Sequence, residues 1–388
     1  MNANPHRTTN HLGYLDGLRA VAALCVVATH AWLQIWPFIY NHLPKGWTWK
    51  LTGGLLFGHF AVDLFIVLSG FCLMLPIVRG DGTLRGGVRH FFLKRARRIL
   101  PPYYLGMGFS LLLIGLLVGQ KTGTHWDLCV PVGRRDILVH LLLLQDALQN
   151  SKINHAYWSI PVEWRIYFAF PLLVVGWKRF GSLVTTLLAF AVAYGLYFAL
   201  RNTAYIGTTP WYLASFTMGI FAADIAYGTT RRCEVLRAYV PWGMLAAASA
   251  GIVAAICCRW AWTHTFASFA GLDFLASLGV LSLLVAASRP HVLLHRLLSW
   301  RPLVFLGTFA YSVYLIHAPL LQVIWQYLLH PFHLGDVETF LLLILLGIPA
   351  ILGVSYLFFL ICERPFLVKR RGEPMAETER EAALSPAP

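Results

Sequence analysis

An arginine and a histidine, Arg19 and His30, sit eleven residues apart in "LDGLRAVAALCVVATHAW", an otherwise apolar stretch long enough to cross a bilayer. An ionisable side chain in hydrocarbon costs a few kcal/mol or more, so a chain that keeps two of them in one span keeps them for a use. At 1.5 Å per residue they lie about 16 Å apart along the helix axis, roughly half the hydrocarbon thickness. One therefore sits near one membrane face and the other beyond the middle.

Composition extends this to the whole chain. Of 388 residues 58% are hydrophobic and only 12% charged, with a mean hydropathy of +0.63, which excludes an ordinary soluble domain. The alternating ten-residue segments of an outer-membrane barrel are absent. Long apolar runs with interspersed Gly and Pro predict an all-α polytopic membrane protein of about ten transmembrane helices. The spans fall at roughly 15–36, 53–78, 102–119, 160–176, 181–200, 209–227, 240–260, 267–287, 303–329 and 339–362. The segment "DILVHLLLLQDAL" is too short to span and reads as re-entrant or interfacial. The expected organisation is a membrane domain over 1–366 and a disordered tail over 367–388.

The net charge of +14 would raise nucleic-acid binding in a soluble protein, but its distribution points to topology instead. Alternate sides of the ten-span scheme carry 21 and eight Lys and Arg, with Arg19 and Arg165 inside spans. The richer side, which holds both termini, is therefore expected to be cytoplasmic. No signal-peptide pattern precedes the first span. The seven Cys show no disulfide framework and no CxxC metal spacing, so no metal is implied.

Five constellations can carry chemistry. His30 titrates near neutrality and can take a proton from a hydroxyl; packing is the competing role. In "HFAVDLFIVLSGF", His59 and Asp63 share a helix face, and Asp63 either orients a histidine or anchors a packed helix, while Ser69 and Gly70 suit close packing. In "HFFLKRARRILPPYY", Arg95 and Arg98 lie one turn apart before a Pro-Pro pair, a geometry able to clamp phosphate, although lipid headgroup contacts explain much of the charge. "HAYWSIPVEWRIYFAFP" places Glu163 and Arg165 among Trp158, Trp164 and Tyr167, either as a structural ion pair or as the lining of a sugar pocket. "YSVYLIHAP" carries His317 near mid-depth, and the following "CERPF" places Glu363 at the depth of Arg19, where the two are expected to pair. Of fourteen Trp, all but Trp177, Trp242 and Trp300 fall toward the outer side, an excess that indicates an aromatic-lined outer cleft.

Together the strings "YLDGLRAVAALCVVATH", "VDLFIVLSGF", "RARRILPPYY", "WSIPVEWRIYF", "YSVYLIHAP" and "ERP", in that order over residues 14–366, resemble the family-three membrane acyltransferases, which include O-antigen and other surface-polysaccharide O-acetylases. The resemblance implies ten membrane helices and transfer of an acyl group, commonly acetyl, from cytoplasmic acyl-CoA to a hydroxyl of an extracytoplasmic or membrane-linked glycan or glycoside. It implies a catalytic role for His30, a supporting one for Arg19 and donor binding for Arg95 and Arg98. Glu163 fits the family's acidic position, whereas Pro161 stands where a small polar residue is commoner.

The expected reaction has His30 deprotonating the acceptor hydroxyl, oriented by Asp63 or Glu163, with an acyl-histidine intermediate as the alternative. Trp158, Trp164, Tyr167 and His317 are the expected acceptor contacts. The expected partners are acyl-CoA, a glycan acceptor and the lipid bilayer, and the expected location is the bacterial inner (plasma) membrane. A transporter or flippase that forms no bond is the competing class, because buried ionisable residues also mark transport paths.

Overall fold

The computed structural model describes residues 12–263 and 269–367. The predicted tail beyond Leu367 lies outside the described residues, as does the chain before Leu12. Among the described residues there are helices and turns and no strands.

Nine helices organise the fold: α1 Gly13–Ile35, α2 Phe60–Val78, α3 Gly87–Leu113, α4 Ser159–Leu200, α5 Tyr212–Tyr227, α6 Trp242–Thr263, α7 Phe269–Ala287, α8 Ala310–Ile324 and α9 Asp336–Leu367, the last including two π-helical turns. Each forms where an apolar run is long enough to satisfy its backbone internally, the condition for crossing hydrocarbon. Among the described residues seven continuous helical runs are long and apolar enough to cross a membrane, and the bent pair Arg231–Tyr239 and Trp242–Cys258 makes an eighth.

The difference from ten has two local causes. The segments predicted at 160–176 and 181–200 fall in one 42-residue helical run, α4, broken by Gly181 at φ 81° and ψ 167°. A Cβ on Gly176 would touch Thr185, so the chain folds back there and α4 is a hairpin with almost no loop. The segment predicted at 209–227 becomes α5, a 16-residue helix, which spans only about 24 Å at 1.5 Å per residue.

Between α3 and α4 the loop resists spanning, as its length predicted. Arg134–Leu141 is an eight-residue helix, and the chain then turns toward Asn154. Asp146 in this loop accepts a two-armed ion pair from Arg165, one arm at 2.9 Å. Arg165 is thus a structural clamp from α4 to the loop.

The packing that matters for the site is centred on α1 and α2. Helix α1 lies against α8, the short helix Arg301–Thr308 and α2, while α2 and α5 share the most extensive contact. At that crossing Gly70 faces the Phe216 carbonyl and Gly219 faces the Val67 carbonyl so closely that a Cβ on either would overlap backbone. Small residues at a crossing let dispersion and backbone contacts replace the hydrophobic effect that lipid cannot supply.

A histidine cluster between two cavities as the candidate active site

His30 does not stand alone on α1. Its Nδ1 lies 2.7 Å from Nε2 of His317 on α8, and the two rings stack at 4.9 Å between centroids. His317 Nδ1 in turn faces the carbonyl oxygens of Val313 at 3.0 Å and Tyr314 at 2.9 Å. Carbonyl oxygens only accept, so Nδ1 of His317 carries a proton and its Nε2, in the neutral ring, is an acceptor. His30 Nδ1–H must then donate to it. This chain of donors, assigned from the hydrogen-bond network, leaves the lone pair of His30 on Nε2, the atom available to take a proton.

Two further histidines complete the cluster, and neither was singled out in the sequence. His155 meets the His30 ring edge-on at 4.7 Å and His125 meets His155 at 4.6 Å. The Cys129 Sγ lies 3.3 Å from His155 Nδ1 and accepts the His155 backbone N–H at 3.2 Å, which holds the loop against the cluster. Among the described residues His125 Nδ1 and His155 Nε2 are buried without hydrogen-bond partners. Burial pushes the pKa of His125, in the loop between spans, down to about 4, so it is neutral at physiological pH.

On the side of the basic loops, a cavity of about 140 Å³ is lined by Arg19, Arg95, Arg98, Glu163, Tyr167 and Glu363 and ends at Ser159 and Tyr314. Tyr314 lies one helical turn before His317. Its hydroxyl donates to the Ala156 carbonyl and accepts from Ser159 Oγ at 2.8 Å. Tyr167 donates to Glu163 Oε1 at 2.5 Å and sits 3.1 Å from Ser69 Oγ. Arg95 is partly buried, with an Nε that has no partner among the described residues, while Arg98 is exposed. The two guanidinium groups thus border a narrow cleft that starts at the basic face and stops one turn short of the histidine pair.

On the opposite side a second cavity, of about 340 Å³, is lined by Gln34, Thr124, Trp325, His330, His333 and Asp336 among others. Gln34 lies one turn beyond His30, and Thr124 adjoins His125. A network secures this wall: Gln34 Nε2 donates to Gln322 Oε1 at 2.6 Å, Thr124 donates to the same oxygen at 2.9 Å, and Gln322 Nε2 reaches Thr122 at 3.0 Å. Trp325 packs against His330 at 4.8 Å.

Several expected partnerships are replaced by others. Arg19 pairs with Asp16, one turn earlier on α1, and also donates to Cys72 Sγ at 3.0 Å. Glu363 accepts from Ser312 Oγ at 2.5 Å, so Arg19 and Glu363 share a cavity without pairing. The partner that orients His30 is His317, not Asp63 or Glu163. Asp63 instead lies beside His59 and Asp273. Trp158 packs on Tyr212 at 6.0 Å and Trp164 on Phe168 at 5.7 Å; neither lines either cavity, and Tyr167 lines the one on the basic side.

A model of the acyltransferase domain family matches residues 12–360. The Bacillus subtilis protein YrhL, whose name carries a provisional assignment as a peptidoglycan O-acetyltransferase, is 28% identical over 344 residues, 81% of this chain and 50% of that protein. Peptidoglycan O-acetyltransferase OatA of Listeria monocytogenes is 23% identical over 335 residues, 80% of this chain and 49% of its own. Nodulation protein 10 of Rhizobium leguminosarum is 26% identical over 204 residues, 49% and 52% of the respective chains. The chain spans about half the length of these curated relatives. No solved structure matches. With the family model covering nearly the whole helical bundle and the lining of both cavities apart from Glu363, the chain belongs to the acyltransferase domain family.

Proposed function

We propose that this protein is a membrane-bound O-acyltransferase that moves an acyl group, with acetyl the expected one, from acyl-CoA to a hydroxyl of a glycan or glycoside. In this reading the basic face and both termini are cytoplasmic, the membrane is the bacterial plasma membrane, acyl-CoA enters the cavity at Arg95 and Arg98, and the acceptor enters the cavity at Trp325. The observation that carries it is the His30–His317 pair at 2.7 Å, which leaves Nε2 as the unprotonated nitrogen of a ring set between residues that line the two cavities.

The chemistry then closes without a further group. His30 Nε2 removes the hydroxyl proton as the acceptor oxygen attacks the thioester carbonyl. The carbon–sulfur bond breaks, and the imidazolium returns the proton to the CoA thiolate. Holding both reactants at one nitrogen converts an encounter of two molecules into a local step, the largest entropic saving open to such a site. The peptidoglycan O-acetyltransferase names of two relatives favour a glycan hydroxyl as acceptor. The aromatic and polar wall around Trp325 suits a sugar.

Purified protein in proteoliposomes, given labelled acetyl-CoA and muropeptide or glycoside acceptors, is expected to attach label covalently to the acceptor. Label moved across the bilayer without a new ester would replace this reading with transport. The donor arm has its own expected result. If the Arg98 guanidinium grips phosphate through its planar fork, Arg98→Lys weakens acyl-CoA binding despite keeping the charge, and Arg98→Ala weakens it more. Wild-type affinity in both variants returns Arg98 to a purely topological role.

A further inference from the structure

We infer that His59, Asp63 and Asp273 form a divalent-cation site, a metal clip between the start of α2 and α7 that no part of the acyl-transfer reading requires. None of the three lines either cavity at the histidine cluster. One ligand atom from each lies within 4.8 Å of the others. His59 Nε2 is already 2.6 Å from Asp273 Oδ1.

Two features set the cluster apart from a solvated acidic patch. Asp63 and Asp273 are both 0% exposed, inside a bundle whose surroundings are hydrocarbon. Neither carboxylate oxygen of Asp63 makes a direct hydrogen bond of normal length and angle among the described residues, and its polar neighbours are the Asp273 carboxylate and the Ser277 hydroxyl. Two buried carboxylates side by side are among the costliest arrangements a membrane protein can hold unless a proton or a cation is bound between them. A divalent cation removes that cost directly, because two carboxylates and a neutral imidazole around it make a unit with no net charge.

The donor set also selects the kind of ion. Imidazole with carboxylates suits Zn²⁺ and its neighbours better than Ca²⁺ or Mg²⁺, which favour all-oxygen shells. Two ligands on a tetrahedral Zn²⁺ stand about 3.3 Å apart at bond lengths near 2.0–2.1 Å. The His59–Asp273 spacing is shorter than that value and the whole set stays within 4.8 Å, so side-chain shifts of about an ångström suffice. Asp273 is already held in place, because its second oxygen accepts from Trp211 Nε1 at 2.7 Å, the outer hydrogen bond that typically orients a metal-binding carboxylate. His59 keeps 29% of its side chain exposed, which gives an ion a way in.

The test uses full-length protein in detergent, stripped with chelator and titrated with Zn²⁺, with bound metal measured by mass spectrometry and unfolding followed thermally. Wild type is expected to retain about one equivalent and to gain thermal stability with Zn²⁺. Asp63→Asn and His59→Gln are expected to bind at least tenfold more weakly and to lose the Zn²⁺-dependent shift. Trp211→Phe, which keeps all three ligands, should weaken binding about 10–100-fold. The partly exposed His59 provides a variant that folds if Asp63→Asn does not. No metal and no shift in wild type overturns the site and leaves the carboxylates sharing a proton. Equal metal in wild type and both ligand variants overturns it too, by locating the ion elsewhere.

Discussion

His30→Ala is expected to lower acyl transfer by about 10²- to 10⁴-fold, the range a positioned general base supplies, while acyl-CoA binding and the folded state persist. The side chain touches the cluster but lies outside the donor cavity, so donor affinity is the internal control. His317→Ala should also fall steeply, because it removes the acceptor that fixes the His30 Nδ1–H and with it the position of the lone pair. The double variant should be scarcely worse than His30→Ala alone, as expected of residues that act as a unit. Activity, donor binding and thermal stability measured on the same preparations separate the outcomes. A packing histidine would lower stability and leave turnover per folded molecule near normal, and that result would remove His30 from the mechanism.

The second large effect lies at the α2–α5 crossing. Gly219→Val should abolish or severely reduce folded protein, because its Cβ would occupy the space of the Val67 carbonyl and neither backbone can yield without separating the helices. Overpacking in ordinary cores costs about 1–3 kcal/mol; a clash between two backbones should exceed that. Gly70→Val should behave alike against the Phe216 carbonyl. Gly251→Ala and Gly353→Ala, where an added Cβ meets nothing within 4 Å, should leave the protein as stable as wild type. Monodispersity on gel filtration and the unfolding midpoint in detergent report the difference, and a Gly219→Val protein as stable as wild type would contradict the close crossing.

The fold was legible because its signal is local. Length and apolarity of each run dictate a helix in hydrocarbon, and even the reversal at Gly181 falls on the first residue of the second of two adjacent predicted spans. The shortness of α5 was not legible, since the 16-residue helix ends where the predicted span ends but starts three residues late, after the turn in which Thr209 is left-handed at φ 46°. The site divides in the same way. Arg19, Arg95, Arg98, Glu163 and Tyr167 sit on three separate strings, and the structure brings them to one cavity.

The partners were harder to read. His30 and His317 are 287 residues apart in sequence, and no period within α1 encodes which helix will face it. His125 and His155 were missed because a histidine in a polar loop carries no signal until the loop is seen to fold inward. The Arg19 partner, by contrast, was readable: Asp16 lies three residues earlier on the same helix face, where pairing costs little chain entropy. The aromatic residues Trp158 and Trp164 misdirected the acceptor reading because large apolar rings serve packing as readily as recognition.

The two cavities lie on opposite sides of the histidine pair, one reaching Tyr314 a turn before His317 and the other reaching Gln34 a turn beyond His30. Under the proposed reading neither reactant blocks the way of the other, so donor and acceptor would be bound together and each product would leave by its own route. Direct transfer through such a site is expected to follow a sequential rate law, with double-reciprocal plots against one substrate, taken at several levels of the other, that intersect, whereas an acyl-histidine intermediate would make them parallel. Occupancy at one end then cannot be read as competitive inhibition at the other. A compound lodged beside Trp325 would slow turnover without raising the acyl-CoA concentration needed for half-saturation.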